Sequence, residues 1–158
     1  MCAMTADRSQ TLEIALPDPA ATEALGARVA KALRPGDTVF LIGDLGAGKT
    51  TLARGLVRAL CPDAGEVPSP TFTLVQTYHS EGFDLWHVDL YRLERAEDCL
   101  ELGLEDAFEA HACIIEWPER LGPLAPPDRL EVRLEEDAGG RLARLAGVGA
   151  WRERIDQL

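Results

Sequence analysis

Apolar residues recur along the N-terminal part of the chain with the periods of strands and helices. Residues 11–16, TLEIAL, alternate between apolar and polar side chains, which predicts a half-buried strand. Between 20 and 33 the main apolar residues lie four positions apart, so we predict a helix that ends at the following RPG. The short apolar run at 38–43, TVFLIG, predicts a buried strand, and KTTLARGLVRAL at 49–60 predicts a second amphipathic helix.

The C-terminal part of the chain adds hairpins to this alternation. Its predicted strands lie at 71–78, 85–92, 113–117, 129–136 and 141–148, and its predicted helices at 96–110 and 150–158. The turn sequence SEGFD joins the first two of these strands and DAGG joins the last two, as expected for two β-hairpins. We therefore predict an α/β fold with a mixed β-sheet flanked by helices and a C-terminal β-hairpin.

The length and composition indicate one globular domain. A chain of 158 residues with 46% apolar and 27% charged residues can bury a single core. We predict that residues 11–158 form this domain and that residues 1–10, MCAMTADRSQ, form a disordered tail.

The location of the protein is predicted from what the sequence lacks. No apolar run approaches the roughly 18 residues of a membrane span, and MCAMTADRSQ contains no apolar signal segment. We therefore expect a cytoplasmic protein that does not contact membranes. None of the four cysteines forms a CxxC pair, so we expect reduced thiols, three of them buried.

The formal net charge of −11 limits the choice of partners. A nucleic-acid backbone repels an acidic surface unless basic residues are grouped locally. Arginines do gather in GRLARLAGVGAWRER, at 140–154, but such a group is more often a solvated face. The charge argues against a stand-alone nucleic-acid-binding protein and is compatible with work in a complex whose other subunits hold RNA.

The stretch GDLGAGKTT, residues 43–51, has the composition of a phosphate-binding loop. Gly43, Gly48, Lys49 and Thr50 match the pattern GxxxxGK[ST]. Glycines let backbone N–H groups curve around phosphate oxygens, and the following helix directs its positive dipole end at the same oxygens. Lys49 would reach the β- and γ-phosphates, and the Thr50 hydroxyl would ligate Mg²⁺. We therefore predict a single P-loop NTPase-like domain.

Two carboxylates are candidates to complete the metal site that such a loop requires. Asp89 follows LWHV and Glu116 follows CII, so each lies at the end of a predicted strand. Either would ligate Mg²⁺, directly or through water, while the other orients the attacking water; the plainer alternative is that each caps a strand end. His87 shares a strand face with Asp89, and a packed or hydrogen-bonded histidine is a more common arrangement than a metal pair there.

The sequence indicates which nucleotide is bound but leaves alternatives for what the protein does with it. The guanine-reading signature Asn/Thr-Lys-x-Asp is absent, since the only lysines are Lys31 and Lys49, so ATP is the expected nucleotide. A small-molecule or nucleotide kinase is the alternative to an ATPase, but the Arg-rich lid of such kinases finds no counterpart at 94–110, which has one arginine in seventeen residues. A module that binds nucleotide without turnover is a third alternative, against which Asp89 and Glu116 argue.

Several motifs together resemble one protein family. In chain order they are LPDPAAT at 16–22, GDLGAGKTT at 43–51, SPTFTLV at 69–75, HVDLYRL at 87–93, IIEWPERL at 114–121 and GRLARL at 140–145. They are similar to those of TsaE, a small bacterial ATPase required for threonylcarbamoyladenosine synthesis on tRNA. The similarity runs from about Leu12 to about Leu145. The phosphate-binding loop is generic, whereas the order of the three motifs after it is highly specific.

The resemblance implies roles for individual residues. The phosphates of ATP would be held by Gly46, Ala47, Gly48, Lys49, Thr50 and Thr51. Thr50 and Glu116 would hold Mg²⁺, and Asp89 would act with Lys49 in catalysis by orienting water. Ser69 and Thr71 would form a switch-like segment that senses the nucleotide state. The segments at 16–22 and 140–145 would lie near the nucleoside.

The resemblance also implies partners. TsaE acts with TsaD, which transfers the threonylcarbamoyl group, and with TsaB, and its ATP hydrolysis would reset their complex between cycles. tRNA would be reached only indirectly, through that complex. A stabilising arginine would come from this chain, as Arg92 or Arg120, or from a partner.

Overall fold

A computed structural model of the protein describes residues 11–44, 46, 48–68 and 74–158. The strands of this part are β1 (Thr11–Leu16), β2 (Thr38–Ile42), β3 (Val75–His79), β4 (Asp84–Asp89), β5 (Ala112–Glu116), β6 (Arg129–Asp137) and β7 (Gly140–Val148). The helices are α1 (Pro19–Ala32), α2 (Lys49–Leu60), α3 (Asp98–Glu101), α4 (Leu104–Ala110) and α5 (Trp151–Arg154). Two 3₁₀ segments, Pro118–Leu124 and Ile155–Gln157, follow β5 and α5.

The strands form one mixed sheet in the order β1-β7-β6-β2-β5-β4-β3. Three neighbouring pairs at its centre, β6 with β2, β2 with β5 and β5 with β4, are parallel. The two hairpins and the pairing of β1 with β7 are antiparallel. The predicted α/β fold with a mixed sheet and a C-terminal hairpin is confirmed. Within the described ranges no helix is long and apolar enough to cross a membrane.

The sheet lies between two apolar layers because alternate residues of its central strands point to opposite faces. Val39 and Leu41 of β2 join the cluster under α1 and α2, whereas Phe40 between them joins a second cluster on the other face. That second cluster is completed by Cys99 of α3, Leu104 of α4 and other apolar side chains of this face. Cys61, Cys99 and Cys113 are buried free thiols, as predicted for three of the four cysteines.

Two glycines bring α1 and α2 into backbone contact. A Cβ atom added at Gly26 would lie 2.2 Å from the carbonyl oxygen of Leu52, and one added at Gly55 would lie 2.1 Å from that of Glu23. No side chain fits between the helices at this crossing. Because α2 begins at the phosphate-binding loop, the crossing also fixes where that loop lies above the sheet.

Two predicted elements are shorter than expected. The predicted helix at 96–110 is wrong as one helix: Gly103 adopts a left-handed conformation, with φ 78°, and separates α3 from α4. The strand predicted at 85–92 ends at Asp89, because the chain turns there and the Asp89 carboxylate accepts the backbone N–H of Tyr91 at 2.9 Å. Of the strand predicted at 71–78, residues 71–73 lie outside the described residues and β3 begins at Val75.

The C-terminal helix predicted at 150–158 is present as α5 followed by the 3₁₀ segment Ile155–Gln157, and an ion pair holds it to the residue before β2. The guanidinium of Arg154 donates to both carboxylate oxygens of Asp37, at 2.6 and 2.8 Å, and to the carbonyl oxygen of Ala32. Arg144 instead lies 3.5 Å from Glu135 on the hairpin. The arginines grouped in the sequence at 140–154 are thus used separately, and Arg154 is not on a solvated face.

Candidate functional site

The phosphate-binding loop connects the central strand β2 to α2. Gly46 and Gly48 both have positive φ, 81° and 102°, which glycine adopts without the penalty that a side chain brings. Gly48 is the N-cap of α2, so Lys49, Thr50 and Thr51 form its first turn. The backbone N–H groups of a first turn have no partner within the helix and are available to an anion. The described part of the predicted loop, Gly46 and the residues 48–51, is therefore compatible with the predicted phosphate site.

The side chain of Lys49 is enclosed instead of extending into solvent. The residue is only 5% exposed, and its Nζ has no hydrogen-bond partner among the residues described. Nζ lies 3.9 Å from the centre of the Trp117 ring, within the range of a cation–π contact. Burial lowers the pKa of Lys49 below its ordinary value of 10.5, although the carboxylates of Glu116 and Asp89 oppose this shift. Lys49 is thus a buried cation without an anionic hydrogen-bonding partner among the residues that the structure describes.

Trp117 lies over Lys49 because of how β5 ends. Directly after Glu116 the chain adopts a left-handed conformation at Trp117, with φ 59°, before the 3₁₀ segment begins. This conformation costs about 1–2 kcal/mol in a residue with a side chain. The Trp117 ring also contacts the ring of Tyr91, at 4.9 Å between centroids. The aromatic pair forms one wall beside the lysine.

The two candidate acids lie side by side beneath the loop. Asp89 ends β4 and Glu116 ends β5, and the two are register partners in this parallel pair. Both are almost fully buried, at 4% and 3% exposure. The carboxyl ends of parallel strands meet at one edge of the sheet, the edge where β2 enters the phosphate-binding loop. The predicted placement of both acids at strand ends beside the loop is therefore observed.

His87 is bonded to one of these acids. Its Nε2 lies 2.7 Å from Oε2 of Glu116, and the histidine is completely buried. The interpretation of His87 as a hydrogen-bonded histidine is confirmed. No three His, Cys, Asp or Glu side chains within the described ranges form a group that could hold a metal ion.

A cavity of about 300 Å³ adjoins the loop on the side of the C-terminal hairpin. It is lined by the connection from β1 to α1, by Gly46, Gly48 and Thr51, and by the turn between β6 and β7. Arg141, the second residue of β7, donates to the carbonyl oxygen of Gly46 at 3.0 Å and to that of Gly140 at 3.1 Å. The two segments expected near a nucleoside, at 16–22 and 140–145, thus meet at one cavity beside the phosphate-binding loop.

Cavity size alone does not identify this site. A larger cavity of about 860 Å³ lies between β3 and the loop after α2, and its described lining does not reach the phosphate-binding loop. Another, of about 550 Å³, lies on the opposite side of the loop against Asp44, Trp117 and the outer face of β6. Of these three cavities, the one of about 300 Å³ has a described lining that includes Thr51, in the first turn of α2.

Most of the predicted site residues come together. Gly46, Gly48, Lys49, Thr50 and Thr51 form the loop and first turn, and Asp89 and Glu116 lie below them. Ala47, Ser69 and Thr71 lie outside the described residues. The functional roles of all these residues stay predictions.

Three contacts of the site were not foreseen from the sequence: Trp117 over Lys49, His87 on Glu116, and Arg141 on Gly46. For His87 the sequence held a signal, because it alternates with Asp89 toward the same face. For Arg141 the resemblance placed its segment, 140–145, near the nucleoside, but no local pattern pairs it with Gly46, which lies 95 positions earlier in the chain.

Comparison with known proteins agrees with this arrangement. The model of one protein family, described as threonylcarbamoyl adenosine biosynthesis protein TsaE, matches residues 16–144. A TsaE protein of Rickettsia felis is 41% identical over 138 residues, which cover 87% of this chain and 81% of that protein. One of Bacillus subtilis is 36% identical over 116 residues, covering 73% of this chain and 72% of that protein. The crystal structure of Bacillus subtilis YdiB superposes with a TM-score of 0.79 at 29% identity, covering 94% of this chain and 93% of that one.

Proposed function

The chain belongs to the TsaE family, which acts in threonylcarbamoyladenosine biosynthesis on tRNA, and we propose that it does so as a Mg²⁺-dependent ATPase. One observation carries the proposal: the Lys49 ammonium group is buried at the start of α2 with no hydrogen-bond partner in the described part of the chain. A buried cation is costly unless it is paired. Phosphate oxygens are the partners that a lysine in this loop ordinarily binds. The adjoining cavity of about 300 Å³ is in the size range of small-ligand sites.

The residues at the loop fit a Mg²⁺ ion. In nucleotide sites Mg²⁺ ordinarily takes one or two protein oxygens, while phosphates and water supply the others. The Thr50 hydroxyl, in the first turn of α2, and the Glu116 carboxylate, at the end of β5, are the two protein ligands that we assign. A Mg²⁺ ion held there would neutralise charge on the β- and γ-phosphate oxygens.

The remaining groups of the site would bind, orient and stabilise. Backbone N–H groups of the first turn of α2 and the Lys49 ammonium would bind phosphate oxygens and stabilise the charge that develops during transfer. Asp89 would orient the attacking water, and its bond to the Tyr91 N–H, at 2.9 Å, holds the carboxylate at the strand end. Arg141 would face the nucleotide from the hairpin. Arg92, Arg120 or a partner's arginine would supply any further cationic charge.

We propose that the second participant in the reaction cycle is a protein assembly. TsaB and TsaD are the expected partners, with hydrolysis resetting their complex and tRNA reached only through it. The net charge of −11 supports an indirect role at tRNA, because a strongly acidic chain is repelled by a phosphate backbone. We propose a cytoplasmic location together with this function.

Phosphate release from Mg·ATP tests the proposal. It would be measured for the chain alone and with purified TsaB and TsaD, and we expect turnover to rise strongly only with the pair. Lys49→Ala should lower nucleotide affinity about 100-fold, since charged hydrogen bonds of this kind contribute about 1.5–3 kcal/mol. Lys31→Ala, which changes the only other lysine, an exposed one, is the matched control and should behave as the wild type.

Two outcomes would each contradict one part of the proposed function. Turnover that the TsaB–TsaD pair leaves unchanged would contradict partner dependence. A phosphorylated product other than inorganic phosphate would instead support the small-molecule or nucleotide kinase.

Isosteric changes of the two acids separate their assigned roles. Glu116→Gln should weaken Mg²⁺-dependent nucleotide binding, whereas Asp89→Asn should spare binding and lose turnover. Nucleotide affinity would be measured by calorimetry with Mg²⁺ and with EDTA, beside phosphate release. The opposite pattern would exchange the two roles.

A further inference from the structure

His87 occupies a position where an apolar residue would be the simpler choice. It lies on β4 beside Ile114 of β5, on the sheet face that Leu85 and Ile114 share with the core under α1 and α2. The side chain is completely buried. Its Nδ1 has no hydrogen-bond partner among the described residues, an arrangement that destabilises the folded state. A leucine would pack here without an unpaired polar atom. The presence of a histidine is therefore best explained by the contact that its other nitrogen, Nε2, makes.

Nε2 of His87 forms a hydrogen bond with Glu116. Nε2 lies 2.7 Å from Oε2, and because a carboxylate oxygen only accepts, Nε2 carries the proton and donates it. A bond to one oxygen restrains the rotation of the carboxyl group. Asp89 is the register partner of Glu116 on β4, and the two carboxylates repel each other. Without the bond to His87, this repulsion would favour other orientations of the Glu116 carboxylate.

We propose that His87 is a positioning residue that holds Oε2 of Glu116, so that Oε1 is presented to the Mg²⁺ ion of the bound nucleotide. This inference rests on the proposed function, since it concerns the carboxylate assigned there as a ligand. Groups that hydrogen-bond to metal-binding side chains typically contribute 10–100-fold to metal affinity. His87 itself would touch neither the nucleotide nor the ion.

Two substitutions that differ by one methylene test the proposal. In His87→Gln the amide nitrogen reaches the position of the imidazole Nε2, whereas in His87→Asn the same group reaches only the position of Nδ1 and falls short of Glu116. Binding of a non-hydrolysable ATP analogue would be measured by calorimetry over a series of Mg²⁺ concentrations and again in EDTA. Thermal unfolding by circular dichroism reports on the fold of each variant.

We expect His87→Asn to lose 10–100-fold in Mg²⁺ affinity while its analogue affinity in EDTA stays at the wild-type value. His87→Gln should restore Mg²⁺ affinity to within about threefold of the wild type. Equal losses in Mg²⁺ and in EDTA, or unchanged Mg²⁺ affinity in His87→Asn, would overturn the proposal. Should His87→Asn not fold, His87→Gln decides: wild-type Mg²⁺ affinity supports the positioning role, and a tenfold loss rejects it.

The failure of this inference is distinguishable from failure of the proposed function. A wild-type chain that binds no analogue, or binds it without regard to Mg²⁺, refutes both. A wild-type chain that binds it with Mg²⁺, beside a His87→Asn variant that is indistinguishable from it, refutes the positioning role alone.

Discussion

The crossing of α1 and α2 makes a quantitative prediction for Gly26→Ala. An added methyl group would lie 2.2 Å from the Leu52 carbonyl oxygen, so the two helices must separate by about 1.2 Å to reach an ordinary contact of 3.4 Å. The neighbouring atoms are backbone and have no rotamer with which to withdraw. Overpacking of this kind costs about 3 kcal/mol at the upper end of its usual range. The higher helix propensity of alanine returns about 1 kcal/mol, which leaves a net loss of about 2 kcal/mol in the free energy of unfolding.

The assay is urea and thermal unfolding followed by circular dichroism. In a chain of this size a loss of about 2 kcal/mol lowers Tm by about 4–8 °C. The control is Ala24→Gly on the exposed side of the same helix, which should lose about 1 kcal/mol through helix propensity alone. If the helices could separate without cost, Gly26→Ala would instead be stabilised by about 1 kcal/mol, the amount that Ala24→Gly loses through helix propensity. A stabilised Gly26→Ala variant would therefore refute the backbone contact on which this estimate depends.

Three further predictions concern titration, thiol reactivity and the C-terminal ion pair. Burial lowers the pKa of Lys49 below its ordinary value of 10.5, and a bound phosphate would raise it again, so nucleotide binding at alkaline pH below 10.5 should take up protons. Calorimetry in buffers of different ionisation enthalpy would show this uptake, and equal heats would contradict it. Burial raises the pKa of Cys113 to about 12, so at pH 8 only about one Cys113 thiol in 10⁴ is ionised. The Cys113→Ser variant should therefore have as many DTNB-reactive thiols in its native state as the wild type, and one fewer in guanidinium. Arg154→Ala leaves Asp37 without its bidentate partner and should lower the free energy of unfolding in urea by about 2 kcal/mol. Arg152→Ala, at an exposed position, should not change it measurably. Equal free energies of unfolding in the two variants would show that the ion pair does not stabilise the fold.

Much of the candidate site follows from local sequence because local rules decide it. The loop needs glycines at fixed offsets and a lysine at the helix start, and the strand before it is short and apolar. Asp89 and Glu116 were identifiable because each follows a buried apolar run, and the carboxyl ends of parallel strands share one edge of the sheet. The two hairpins followed likewise from their turn residues.

Other features depend on contacts that no local pattern encodes. The acidic stretch at 96–110 has the composition of one helix, yet Gly103 takes a left-handed conformation that interrupts it. No local pattern places Trp117 over Lys49, because that contact depends on the left-handed turn after β5. Arg141 reaches the phosphate-binding loop only because the sheet places β6 beside β2.

The strand order has a consequence for how the protein is made. β2, which carries the phosphate-binding loop, is followed at once by α2, but its two neighbours in the sheet come from residues 112–116 and 129–137. β1 comes before β2 in the chain, and its partner in the described sheet is β7, at residues 140–148. A nascent chain that has emerged only as far as α2 therefore still lacks both strands that flank β2 in the sheet, and pairing between distant segments is slow to form. Nucleotide should protect the complete chain from proteolysis and leave ribosome-bound chains that stop before β6 unprotected.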